Sequence, residues 1–554
     1  MRNLRPASCC NPQEQNGFQP RHRLWQPSAK PGELAGGMLT NASIIGAIDC
    51  VKETFFSSMN CDTLCWNQNR EGICHLSHFS LVTLNSKTSG GKQNMRKQGF
   101  SRREFLSLAG ATGGAALLAA CQPVAQDTAD GGMETAMEPV TVTVQSGWQT
   151  SGDGDIWTPS IELFDEKGTH ISIEMIRLHV SPEDTMTAVA GGTAPDVYHR
   201  YIGGFAELMA RGVMLPLDDL IANATDFDPD IYLGSQWDNG KWDGVTYGIP
   251  ALEGGSMPAI CWHKHLIEEV GGDPEVGPRS WPEMLEWSRM LLQYDDDGNL
   301  TRAGFDPKDA YGFTVIAWPV VFDANYISED KRTFTFDTEA WAEGLSIITQ
   351  FYTDPGMDKM LALRDQWGYW SGYPSSGFNN AKRAMVMDGN WLPGGLRGMV
   401  EVTGVELESI GYNFHPNLNE GYKAIDFGTG HTLFMPRTTQ VAEDALSFII
   451  HMTSVEVGLL EFEIRAAAMW SKPLLDAIDL SSVPGLQWFF DAPLEADRLW
   501  SPGEFLTPVQ SQCENLWTRA FEEVIVGVKS PEDALFDINK ELQQSLDEYW
   551  ETQS

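Results

Sequence analysis

A short alternating stretch, Val140-Thr141-Val142-Thr143-Val144, opens a series that leaves the folded part of this chain little choice of architecture. Apolar and polar residues exchange every second position, the period of a half-buried strand. A helical stretch from about Trp157 to Lys167 follows, then a second strand, Ile171 to Leu178. Met186 to Ala190 lies in a helix closed by Gly191-Gly192, and Ala194-Pro195-Asp196-Val197-Tyr198 starts a third strand. Strand, helix, strand, helix, strand predicts a parallel sheet with crossover helices, hence an α/β fold. Helix signals continue downstream. Ser280-Trp281-Pro282-Glu283 is a capping box with proline in the first turn, and Met284, Trp287 and Leu291 share a face. Asp337 is the expected cap of a helix carrying Trp341, Leu345, Ile348 and Tyr352, and Ser530 of one carrying Leu535, Ile538, Leu542 and Leu546. There is no internal repeat.

Upstream of the first strand lies an export signal. Met95-Arg96-Lys97-Gln98-Gly99-Phe100-Ser101-Arg102-Arg103-Glu104 is a basic head, a Gly/Ala/Leu run follows, and Leu118-Ala119-Ala120-Cys121 closes it. The pair Arg102-Arg103 resembles bacterial twin-arginine signals. The closing motif resembles a lipobox, with Cys121 as the lipidated first residue of the working chain. The 16 residues from Phe105 to Ala120 are too few and too glycine-rich for a bilayer span, which takes about 20 apolar residues. Residues 1–94 lie on the wrong side of such a signal and read as a spurious upstream extension or a disordered segment. Their Cys61, Cys65, Cys74, His75 and His78 match no common zinc spacing. Residues 95–120 are therefore the signal and 121–138 a flexible tether low in bulky apolar residues.

The 434 residues from Cys121 onward carry 25 Lys+Arg against 69 Asp+Glu. A body this acidic repels nucleic acid and anionic lipid surfaces. Besides Cys121 only Cys261 and Cys513 remain in it, expected as two buried thiols although a bridge is possible in an oxidising compartment. Its length exceeds one ordinary core, so two domains are expected. It also holds 17 of the 19 tryptophans, many beside turn residues. An indole offers a flat apolar face and one N–H donor, the properties needed to stack on a sugar ring.

Several stretches together resemble family 1 extracellular solute-binding proteins, the receptors of ABC sugar importers. They are Ala194-Pro195-Asp196-Val197 with Leu208 to Leu220, Tyr247-Gly248-Ile249-Pro250, Trp262 to Ile267, Ser280-Trp281-Pro282-Glu283-Met284, Ala384-Met385-Val386-Met387-Asp388-Gly389-Asn390-Trp391, and Glu514 to Leu546. Each motif is weak alone; six in the family's order are specific, and they span about 140 to 549. The resemblance implies a two-lobed, type II periplasmic-binding-protein-like fold with a multi-crossing hinge. Lobe 1 would be 139–254 plus 413–465, and lobe 2 255–412 plus 466–554. It further implies a neutral carbohydrate held between the lobes, ABC permease subunits as partners, no cofactor or metal, no catalysis, a monomer, and an extracytoplasmic, lipid-anchored location.

Candidate ligand residues follow from strand ends and from the matched motifs. Trp148 follows the first strand. Asp196 could pair with vicinal hydroxyls, since a carboxylate accepts from two at once. Tyr198, His199 and Arg200 continue into the same region. Asp388, Asn390 and Trp391 match the segment whose tryptophan stacks on ligand in the family. Gly430 and His431 sit in an expected turn after Phe427, Trp470 follows three alanines, and Trp367, Tyr369 and Trp370 cluster in a Gly-rich loop. Three motifs fail. Asp295 to Asn299 has its glycine at the wrong offset for a calcium loop, and the terminal Glu is missing. His263-x-His265 lacks further ligands. Gly234 to Lys241 is one residue too long for a phosphate-binding loop. Two other functions are compatible with the residues. One is an exported glycosidase or cofactor enzyme, although no GxGxxG, CxxC or HExxH follows Cys121. The other is a receptor for a cationic solute such as a polyamine, held by cation–π contacts.

Overall fold

The computed structural model describes residues 137–147, 155–368, 370 and 373–553. The predicted signal with Arg102 and Arg103, the lipidation site Cys121, Trp148 and Tyr369 lie outside the described residues. β1 (Val140–Gln145) alternates as expected and leads through the helix Trp157–Asp165 to β2 (Ile171–Ile176). The helix Pro182–Gly191 follows; Ser181 and Asp184 form its capping box, and Gly192 ends it in the left-handed conformation. β3 (Val197–Tyr201) comes next. β1 pairs parallel with both β2 and β3, so the sequence order predicts these three strands correctly.

Beyond β3, parallel and antiparallel pairings mix. A small hairpin of β4 (Lys241–Trp242) and β5 (Val245–Thr246) precedes β6 (Gly248–Met257), buried along its whole length. β6 passes through a cis Met257-Pro258 bond into β7 (Ala259–His263). β8 (Gln293–Tyr294), β9 (Leu300–Phe305), β10 (Arg383–Asp388) and β11 (Ile410–Phe414) join β7 in a second sheet, ordered β11-β7-β10-β9-β8. β12 (Ala424–Phe434) then returns to the first sheet, antiparallel to β3 and β6 and parallel to β13 (Arg498–Trp500). β6 and β12 are long because they carry the chain between sheets, and they run antiparallel because they cross in opposite directions.

Each sheet is covered on both faces. One face of the first sheet packs Val142, Val144, Trp157, Leu433 and Phe448; the other packs Tyr198, Phe205 and Phe434. The second sheet buries Trp262, Phe305, Trp318 and Trp341 on one side, together with Leu535, Ile538, Leu542 and Leu546 of the closing helix Pro531–Gln553. Cys261, Val386, Leu396 and Trp470 fill the other side. Two sheets, each sandwiched by helices and joined by crossing strands, make the two-lobed α/β architecture. Ser280 and Ser530 start their helices as expected, accepting from Glu283 N–H and Asp533 N–H, but the expected box at Ser280 forms only by half, since the Glu283 carboxylate accepts from Arg279 N–H. The cap expected at Asp337 moves one residue on, to Thr338. Cys261 and Cys513 are free, buried thiols. Among the described residues no single helix is long and apolar enough to cross a membrane.

Candidate functional site

The carboxyl ends of strands from both sheets converge on one group of aromatic rings. Tyr201 is the last residue of β3. Tyr311 stands six residues beyond the end of β9, and Trp391 three beyond the end of β10. Tyr201 meets Tyr311 edge-on with centroids 5.7 Å apart. Tyr311 in turn lies 4.6 Å from Trp391 and 6.0 Å from Trp370. His431 of β12 closes the group, 6.1 Å from Tyr201. Strand ends are where open α/β sheets present their ligand loops, because no hydrogen-bond ladder continues beyond them.

Trp391 is half-buried and held in place by its own turn. Its indole N–H donates to Asp388 Oδ1, which also accepts the Gly389 N–H at 3.0 Å. Asp388 is buried, so it serves the ring and does not face solvent. A side chain at Gly389 would occupy the Trp391 ring position. Asn390, between them, turns away: its Oδ1 accepts from Ser256 N–H at 3.0 Å and its Nδ2 donates to Gly254 C=O at 2.8 Å. The amide thus occupies the open edge of β6 as a neighbouring strand would.

Beneath the rings lies a buried polar layer. His199 and His431 stack at 4.8 Å, and His199 Nδ1 is 3.0 Å from Ser146 Oγ. Burial, then the Arg465 charge, pushes His431 down to about 3; burial, His431 and Arg465 push His199 down as well. Both rings are therefore neutral at ordinary pH and can give or take a hydrogen bond without carrying charge. Arg465 pairs with Glu253 of β6 and with Glu461, each at 3.0 Å. Burial outweighs that pairing at Glu461 and raises its carboxyl to about 8. No group of His, Cys, Asp and Glu among the described residues could hold a metal ion.

The other sequence candidates have different surroundings. Asp196 lies at the start of β3, away from its carboxyl end. Thr143 N–H and hydroxyl donate to its Oδ2 at 2.9 and 2.7 Å, and the Thr439 hydroxyl to Oδ1 at 2.8 Å. Both oxygens are thus occupied in tying strands together. Tyr198 and Arg200 point to the face opposite Tyr201. Tyr198 is core, and the Arg200 guanidinium sits 5.9 Å from the Phe205 ring. Gly430 lies within β12, not in a turn, opposite Gly254. Trp470 is 3 % exposed and stacks on Phe490 at 4.3 Å. Trp367 is half-buried, its ring 5.7 Å from Lys382 Nζ. Asp295 accepts from Asp297 and Asn299 N–H in a turn.

Sequence reasoning missed Tyr201, Tyr311, Glu253 and Arg465. Tyr201 could have been found by period two, since it shares a face with His199. Tyr311 could have been sought in the turn that ends the strand at Phe305. Nothing in the sequence pairs Glu253 with Arg465, 212 residues away.

The fold and this inter-sheet site define a two-lobed binding protein. The profile of bacterial extracellular solute-binding proteins matches residues 147–458, and the chain belongs to that family. Among curated proteins none matches. Solved structures with the same fold include CpMnBP1 with mannobiose bound, at a TM-score of 0.64 and 17% identity, covering 73% of this chain and 100% of that one. Another is the ABC substrate-binding protein Lmo0181 from Listeria monocytogenes in complex with cycloalternan, at 0.59 and 19%, covering 74% and 100%. The GacH receptor of Streptomyces glaucescens, solved unliganded and with acarbose, reaches 0.58 and 16%, covering 74% and 100%.

Proposed function

We propose that this chain is the receptor of an ABC importer, capturing a neutral sugar or oligosaccharide outside the cytoplasm and passing it unaltered to permease subunits. The reading rests on one observation: Tyr201, Tyr311, Trp370 and Trp391 gather where strand ends of both sheets meet. Flat rings, half-buried at Tyr201, Trp370 and Trp391 and buried at Tyr311, match the apolar faces of pyranoses, and a neutral histidine such as His431 can serve hydroxyl groups. The carbohydrates named with the structural relatives support the same substrate class. Trp391, Trp370, Tyr311, Tyr201 and His431 are the residues proposed to touch the solute, with Trp367 at its margin and Asp388 holding Trp391; Trp148 stays a candidate from the sequence alone. Asp196, Tyr198, Arg200, Asn390, Gly430 and Trp470 are assigned to the scaffold.

In this reading the chain is exported by the Arg102-Arg103 signal, is tethered by lipid on Cys121 and acts as a monomer without cofactor or catalysis. The lobes divide as 139–254 with 413–465 and 255–412 with 466–554, apart from β13, which pairs in the first sheet. A solute touching both lobes favours closure by the contacts it gains only there. The test is tryptophan fluorescence and calorimetry with a panel of neutral di- and oligosaccharides. Saturable binding without turnover is expected, and Trp391→Ala should weaken it at least ten-fold. Glycan cleavage, or binding only of polyamines with strong salt dependence, would overturn the reading.

A further inference from the structure

Two of the second lobe's rings, Tyr311 and Trp370, are carried by separate loops, and one buried polar cluster joins those loops. The first loop leaves β9 as Asp306-Pro307-Lys308-Asp309 and reaches Tyr311. Asp306 N-terminates this turn: its Oδ1 accepts from Lys308 N–H at 2.9 Å and from the Tyr352 hydroxyl at 3.0 Å. Asp309 caps the short helical turn Ala310–Phe313 by accepting the Ala310 N–H at 3.1 Å, with Ala310 in the left-handed region at φ 44°. The second loop is closed by Gly377 N–H donating to Gly368 C=O at 3.0 Å, and Trp370 belongs to it. Arg383, the first residue of β10, lies between the two. Its Nε is 3.3 Å from Asp309 Oδ2 and 3.5 Å from Asp306 Oδ2. Its own backbone N–H donates to Gly377 C=O at 3.1 Å, its guanidinium reaches Gly368 C=O at 3.5 Å, and a Cβ at Gly377 would collide with that guanidinium. Arg364 adds the second cation, donating to Asp306 Oδ2 at 3.0 Å and to Lys308 C=O at 2.9 Å.

Asp306 and Asp309 are 0 % exposed and Arg383 1 %. A charge this deeply buried is strongly disfavoured unless its partners are fixed, so each partner's position is tightly specified. Arg383 cannot reach solute itself.

We propose that Arg383 and Asp309 are positioning residues for solute selection: their buried contact sets the gap between Tyr311 and Trp370, and through Tyr311 the approach to Trp391. This rests on the aromatic group being the solute wall. Burial raises the Asp309 carboxyl to about 8, so the double variant Arg383→Met with Asp309→Asn removes the cation and replaces a largely protonated acid by its amide. It leaves Asp306 with Arg364 and keeps the amide oxygen that caps Ala310. Arg383→Lys, which keeps charge but not the fork, is the second variant should the pair fail to fold.

The measurements are affinity for whichever neutral oligosaccharide of the panel binds the wild type, and the near-ultraviolet circular dichroism of the solute-free protein. In the wild-type background the pair should lower affinity ten-fold or more; in a Tyr311→Ala background it should lower it less than two-fold, because Arg383 acts through that ring. The aromatic dichroism should change in the first background and not in the second. If no sugar binds the wild type, the carbohydrate reading fails, and the dichroism arm still decides the positioning role. Additive affinity losses, or unchanged dichroism in folded variants of the wild-type background, would overturn the proposal.

Discussion

Removing the Asn390 amide should unzip the edge of a crossing strand. In a strand, the N–H of one residue and the C=O two residues earlier point the same way. Ser256 N–H and Gly254 C=O are such a pair, and Asn390 satisfies both, at 3.0 and 2.8 Å. Ser256 and Asn390 are wholly buried, so water cannot replace the amide without rearrangement. Asn390→Ala strands one donor and one acceptor. An unsatisfied buried group costs about 1–3 kcal/mol, and a carbonyl with a second lone pair falls at the lower end. The expected loss is about 2–5 kcal/mol, read from urea unfolding of wild type and variant at pH 7.5. Asn390→Asp gives a sharper signature. Ionised, it accepts from Ser256 but opposes the Gly254 carbonyl; protonated, it can donate to that carbonyl. Burial raises the pKa of such a carboxyl, so this variant should be unstable at pH 7.5 and recover toward pH 5. An alanine variant within 0.5 kcal/mol of wild type, or an aspartate variant whose deficit is equal at both pH values, would refute the strand-edge argument.

Three further outcomes are expected. Burial raises the Glu514 carboxyl to about 7, above its ordinary value, so its contribution is fully present below about 4.5 and lost as pH rises through 7. Glu514→Gln should therefore stabilise at pH 8 by up to about 3 kcal/mol and do little at pH 4.5, measured by urea midpoints. His263 and His415 are held down to about 4, and His431 to about 3, chiefly by burial. Folded-state values below 6.5 mean that stability is full above that pH and lost as pH falls, so the melting temperature should decline from pH 6.5 to 4.5; a flat profile would count against buried neutral histidines. A Cβ at Gly430 would lie 2.5 Å from Glu253 C=O, whereas one at Gly398 meets open space. Gly430→Ala should cost about 1–3 kcal/mol and Gly398→Ala, inside the helix Leu392–Thr403, should gain about 0.5–1 kcal/mol. Equal effects at the two sites would contradict the packing argument.

The candidate site was only partly legible in the sequence. Trp391 was singled out by the matched family segment, and the structure puts it three residues past β10 beside Tyr311. Its neighbour Asn390 looked equally suited to solute, yet a side chain one residue away points to the opposite side. Asp196 illustrates the same limit: its type suits sugar hydroxyls, but it precedes β3 instead of following it, so Thr143 and Thr439 take its oxygens. Trp470 and Trp391 are chemically identical, and only packing against Phe490 separates them. Tyr311 was passed over because the turn bearing it has no period to betray which way a ring faces.

Local patterns determined the elements here: period-two alternation set β1, the strand-helix order set β2 and β3, and Ser280 and Ser530 started their helices. Motif order identified the family. Those properties depend on neighbours in the chain, which a sequence displays directly. The tertiary structure decided which rings share a wall, which carboxylates are consumed and which amide guards a strand edge. Such choices are made by residues such as Glu253 and Arg465, remote in sequence and joined only when two sheets close over common ground.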